Sequence, residues 1–169
     1  VFYKDVSFAQ EHNLSVSGGT SKVNYFVSGN YLKEDGLFTF EGADLDGLSR
    51  ANVFGKVEAK PFDFLTIGFS SRFIREDYHE PTVLSDETLW YFGQYLWPVA
   101  PLYDPNGNLF NDLALRFSRG GQRNISNTTS ASQFNFVLTP VKGWRIVGDL
   151  NYRYRSYFNK IVDKEVWQT

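Results

Sequence analysis

The chain has 169 residues, a net charge of -2 and an aromatic content of 18%. A charge so close to balance does not support nucleic-acid binding, which needs a basic patch or stripe, and the lack of cysteine excludes disulfides, thiol catalysis and thiolate metal sites. No apolar run approaches the roughly 18 residues of a transmembrane helix. The sequence has no Met and begins at Val1, so we expect a processed chain or a piece of a longer protein.

Six segments alternate apolar and polar residues with a period of two. This period predicts β-strands, because successive side chains leave a strand on opposite faces. In the last segment, Leu150 and Tyr152 share one face and Asn151 and Arg153 the other. In chain order, the predicted strands cover residues 10–17, 23–32, 50–60, 65–74, 128–139 and 144–157.

The connections between these strands alternate in length. Those after the first, third and fifth strands are short (GGTSK, PFDF and PVKG), whereas those after the second and fourth are long. Strands of about ten residues with short turns at one end and long loops at the other are typical of outer-membrane barrels. The sequence therefore predicts an all-β fold of antiparallel up-and-down strands that form part of a transmembrane β-barrel. A soluble carbohydrate-binding β-sandwich remains the alternative.

The longest connection, residues 75–127, is predicted to be a partly helical extracellular loop. Its segment SDETLWYFGQYLW suggests a short helix with Ser85 as N-cap, and YDPNGN suggests a turn. The loop also holds an aromatic cluster that could contact a ligand, contact a partner protein, or only pack onto the barrel rim. The cluster consists of Trp90, Tyr91, Phe92, Tyr95, Trp97 and Tyr103.

No residue pattern predicts a catalytic site, so we expect a protein that is not an enzyme and needs no cofactor. The segment REDYHEP gathers acids and His79 without the spacing of a metal site. DPNGNLFND departs from a calcium loop, because Leu115 stands where a bidentate glutamate is needed. Four arginines on the polar faces of strands are candidates to face a barrel lumen: Arg72, Arg145, Arg153 and Arg155.

Residues 10–38, QEHNLSVSGGTSKVNYFVSGNYLKEDGLF, resemble the early barrel region of SusC/RagA-family TonB-dependent transporters. RANVFGKVEAKPFDFLTIGFSSRF, residues 50–73, is similar to the family's next pair of strands, although PFDFL replaces a run that usually reads more like Val-Thr-Asp-Trp-Leu. The specific resemblance covers about residues 1–75. Beyond that, only the layout of strands and loops is similar.

The resemblance implies a barrel of about 22 strands closed around a plug, of which this chain would supply six. The resemblance implies that the plug lies outside this chain. It also implies a bacterial outer-membrane location, contact with lipid, energy from TonB through the plug, and a SusD-like lipoprotein as lid. The implied activity is active import of glycans or peptides. The arginines would then line the solute path or pair with plug acids. A passive porin-like channel is a further alternative.

Overall fold

Six long strands form one antiparallel sheet in the computed structural model, which describes residues 3–84 and 101–165. Neighbours in the sheet are also neighbours among these strands along the chain, so the up-and-down arrangement is confirmed. The strands are β1 (Ala9–Gly19), β2 (Val23–Asp35), β5 (Gly47–Phe62), β6 (Leu65–Pro81), β7 (Gly121–Leu138) and β8 (Ile146–Asp163). The sheet does not close within the described residues, and β1 and β8 are its edges.

Smaller elements occupy the two long connections. The β2–β5 connection contains a hairpin of β3 (Thr39–Phe40) and β4 (Ala43–Asp44). The β6–β7 connection contains a 3-10 helix (Thr82–Leu84) and the helix α1 (Asp112–Arg119). Among the described residues, no helix is long and apolar enough to cross a membrane.

The predicted limits of the longest loop are wrong at both ends. Residues 75–81 continue β6 and residues 121–127 belong to β7, where Arg75 pairs with Thr128 and Pro81 with Gln122. Both faces of these extensions are largely polar, so the alternation that marks a strand disappears from the sequence. The backbone ladder does not depend on that alternation, and it continues to the loop that spans residues 82–120.

The sheet has two faces of opposite character. Paired positions lie on the same face, and one row joins Tyr25, Val57, Phe69, Phe134 and Leu150 across five strands. We call this side the apolar face. Counted from the short turns, its first charged residues are Lys33 on β2, Arg75 on β6 and Lys160 on β8.

The opposite side, which we call the polar face, carries charged residues from one end of the sheet to the other. Lys56, Arg72 and Asp149 all point to this side. No described element covers either face. Leu150 on the apolar face is 69% exposed and Phe69 is 51% exposed.

The buried core lies at the end of the long connections and not on the sheet. We call residues 36–46 and 101–120 the loop layer. Phe40, Leu115 and Phe117 are buried there, and Val83 is buried in the 3-10 helix, which contacts α1. Within the described part of the chain, no other large apolar side chain is buried.

Candidate functional site

Two of the predicted lumen arginines lie in one row of the polar face. Arg72 on β6 and Arg153 on β8 both pair with Ala131 on β7, so they flank it. Their backbones are about 10 Å apart, because neighbouring strands are spaced by about 4.8 Å. The single methyl group of Ala131 leaves the space between the two guanidinium groups open.

An aromatic ring supports one of these arginines. Arg72 also pairs with Phe54 on β5, and its Cζ atom lies 5.2 Å from the centre of the Phe54 ring. This is the distance of a cation–π interaction. Phe54 breaks the alternation of its strand, and this irregularity was the only signal in the sequence that could have pointed to a special role for it.

The row closer to the short turns adds neutral hydrogen-bonding groups. Ser70, Gln133 and Asn151 pair across β6, β7 and β8. These residues, with Arg72 and Arg153, line a concavity of about 560 Å³ on the polar face. Sequence reasoning missed Gln133 and Asn151, since strand amides are common and only the register places them beside both arginines.

Arg155 belongs to the same region, but Arg145 does not. Arg155 pairs with Thr129 in the row beyond Arg153. Arg145 precedes the first residue of β8 and lies at the short-turn end of the sheet. Within residues 3–84 and 101–165, neither Arg153 nor Arg155 forms an ion pair. Three of the four predicted arginines therefore share one region of the face, and their place in a lumen stays a prediction.

Only one of the long-loop ligand or partner candidates can be located. The other members of the cluster lie outside the described residues: Trp90, Tyr91, Phe92, Tyr95 and Trp97. The Tyr103 hydroxyl donates a hydrogen bond of 2.8 Å to the Glu41 carboxylate, and this bond raises the pKa of Tyr103. Tyr103 therefore links the two long connections to each other.

A ring contact and hydrogen bonds to a buried carboxylate also hold the loop layer together. The Phe38 ring stacks on Phe117 with centroids 5.8 Å apart. The Asp46 carboxylate accepts hydrogen bonds from the backbone N–H groups of Leu37 (3.3 Å) and Phe38 (2.8 Å). A Cβ atom at Gly36 would collide with that carboxylate, so a larger residue there would displace Asp46 from these hydrogen bonds.

Helix α1 in this layer was not predicted. Asn111 caps it by accepting a hydrogen bond of 3.2 Å from the N–H of Ala114, and Asp112 pairs with Arg116 at 3.0 Å. An Asn followed by an acid and by apolar residues is a helix-start signal. The helix predicted at residues 85–97 lies outside the described residues.

The two acidic segments considered as metal sites form a strand and a turn. Strand β6 divides the first, because Glu76 and Glu80 lie on the polar face and Asp77 and His79 on the apolar side. In the second, the Asp104 carboxylate accepts hydrogen bonds from the N–H groups of Asn106 and Asn108, both 2.8 Å, and closes the predicted turn.

The hydrogen bonds from Asn108 and Asn106 hold the pKa of Asp104 below its usual value of 3.8. The described part of the chain contains no group of three or more His, Asp or Glu residues that could hold a metal ion.

No protein-family model matches the chain, and no curated protein matches it either.

Proposed function

We propose that the chain forms about six strands of a β-barrel of about 22 strands in a bacterial outer membrane, with its apolar face toward lipid. The observation that carries this proposal is the apolar face itself. On β6 it runs without a charge from Leu65 to Phe73, which is about 27 Å along the strand and about 20 Å of height at barrel tilt. The lipid-facing band of such barrels is about 25 Å tall.

The size of this face favours a membrane over water. Six strands are about 24 Å across, so the uncharged region measures on the order of 650 Å². The largest apolar patch of an ordinary soluble monomer is about 300–600 Å². A β-sandwich would need a second layer against this face, and no described element lies there.

The polar face suits an aqueous lumen. Lys56, Arg72 and Arg153 lie near the middle of their strands, where a lipid-facing charge would cost about 2–4 kcal/mol. In a water-filled interior the same groups keep their hydration. The distribution of charge therefore supports one lipid face and one wet face.

We further propose that the complete barrel is a TonB-dependent active importer of large nutrients, glycans or peptides, that works with a SusD-like lipoprotein. The support is the resemblance of residues 10–38 and 50–73 to the SusC/RagA family. The loop layer adds structural support, because long connections that fold into a layer with their own core offer a firm surface to a lid protein. The transporter performs no reaction, and its energy arrives from TonB through the plug.

Spin labels on adjacent residues test the orientation of the sheet. In the full-length protein in bilayers, a label at Leu150 should be relaxed by oxygen and hardly by a water-soluble nickel reagent. A label at Asn151 should show the opposite preference, or respond to neither where a plug packs against it. If oxygen cannot reach the label at Leu150, the face is a dry protein core and the barrel assignment is wrong.

Uptake measurements test the importer. Accumulation of the nutrient in cells should stop when TonB is deleted, and the SusD-like partner should co-purify with the intact transporter. Uptake that is unchanged without TonB would instead identify a passive channel.

A further inference from the structure

We propose that the concavity between Arg72 and Arg153 is a subsite for an oxyanion, a carboxylate or sulfate group carried by a hydroxyl-rich solute. This inference rests on the proposed function, because it requires the polar face to border an aqueous solute path. It goes further, because it assigns a negative charge to the solute and places the charged group between Arg72 and Arg153.

The geometry suits one anionic group held from two sides. Arg72 and Arg153 flank Ala131, so both guanidinium groups can approach the space above its methyl group. The contact of Arg72 with the Phe54 ring restricts that side chain before any ligand arrives. Planar guanidinium groups bind carboxylate and sulfate oxygens through pairs of N–H donors.

Positive charges outnumber negative charges around the concavity. The nearest acid of the polar face on β8 is Asp149, which is four residues from Arg153 and accepts a hydrogen bond of 3.4 Å from Gln133. Glu76 on β6 is paired with Arg50 at 3.9 Å. Arg155 adds a third positive charge in the next row, so among the described residues of this region an anion would meet three arginines against one acid without an ion pair, Asp149.

The neutral lining favours a solute over a fixed acidic side chain from elsewhere in the protein. Ser70, Gln133 and Asn151 surround the concavity with hydroxyl and amide groups, which match a molecule rich in hydroxyls. Its volume of about 560 Å³ is within the range of small-molecule sites, about 300–1,000 Å³. A single carboxylate side chain would leave most of these groups without a partner.

Binding measurements on the full-length protein in detergent test this subsite. The probes are a uronic-acid oligosaccharide, a sulfated oligosaccharide and a neutral oligosaccharide of equal length. We expect one or both anionic probes to bind more tightly than the neutral one, with an affinity that falls as salt rises. Arg72→Gln and Arg153→Gln should each weaken anionic binding roughly tenfold or more, as expected for loss of a charged hydrogen bond. The matched control, Arg145→Gln, should leave it unchanged.

Three results would overturn the inference. These are equal affinity for neutral and anionic probes, anionic binding that survives both arginine replacements, or an equal loss in the Arg145→Gln variant. Thermal unfolding of the Arg72→Gln and Arg153→Gln variants tests for an internal ion pair. A large drop in thermal stability without any change in anion affinity would mean that an acidic side chain of the protein occupies the site. An error in the barrel assignment would be detected separately, by the spin label at Leu150.

Discussion

Arginine at position 150 should be among the most destabilising single changes on the sheet. Leu150 is four residues beyond the start of β8 at Ile146, which is about 14 Å along the strand. In the proposed barrel, at a tilt of about 40°, it would lie about 10 Å above the lower edge of a band about 25 Å tall, close to the midplane. An arginine on the lipid face at that depth costs about 2–4 kcal/mol.

The assay is denaturant unfolding of the full-length protein from lipid bilayers. Leu150→Arg should lower the folding equilibrium constant about 30- to 700-fold, at about 1.4 kcal/mol for each factor of ten. The matched control is Asn151→Arg, which places the same side chain one residue later on the polar face. A wet lumen accepts it, so we expect a much smaller change.

A third variant separates lipid from a protein core. Ile146→Arg lies on the same face at the edge of the band, where the cost should fall to about 0–1 kcal/mol in a bilayer of ordinary thickness. Bilayers with longer acyl chains should raise that cost. The reasoning fails if Leu150→Arg costs no more than Asn151→Arg, or if Ile146→Arg costs as much as Leu150→Arg at every bilayer thickness.

Three further predictions concern the long connections. Phe117→Ala removes a buried ring that stacks on Phe38 and should destabilise the loop layer by about 3–5 kcal/mol, measured as faster hydrogen exchange there with the sheet unchanged. The pKa of Asp104 is lowered, so its ionised form stabilises the turn above pH 3.8, and this stabilisation is lost as the pH falls through the lowered pKa. Hydrogen exchange of the turn amides, measured against pH, should show this loss. Trp90→Ala combined with Trp97→Ala should weaken binding of the lid protein by about 2 kcal/mol or more, measured by quantitative pull-down.

Each of these predictions has a control. Phe110→Ala changes a half-exposed ring in the same layer and should cost less than Phe117→Ala; equal effects would mean that burial at Phe117 is not the cause. Asp104→Asn should remove the pH dependence of the turn amides. Recovery of the lid protein at wild-type yield from the double tryptophan variant would mean that these rings only pack.

The strands could be predicted from sequence because each has one apolar face. Residues 50–60 and 65–74 alternate with little interruption, and both lie inside observed strands. The limits toward the long connections could not be predicted. There both faces carry polar side chains, so Arg75 and Asp77 on one side resemble Glu76 and Glu80 on the other. Backbone hydrogen bonds continue the strand pairing there, and the pattern of side chains does not reveal it.

The candidate site was only half predictable, for a similar reason. Alternation alone places Arg153 and Arg155 on one face of one strand and Arg72 on one face of another. It cannot say that Arg72 and Arg153 share a row, because that depends on the register between β6 and β7. The connection between those strands spans residues 82–120, and nothing local in its sequence sets that register.

The position of the core follows from the environments that the proposed barrel would occupy. Lipid would cover the apolar face and water the polar face, so the sheet would need no protein layer over either side. The long connections would stand in water and must supply their own stability. They do so with the buried Phe40, Leu115 and Phe117, and with the Asn111 cap of α1. A loop that only joined two strands would need neither, so the core of the loop layer argues for a defined surface above the sheet.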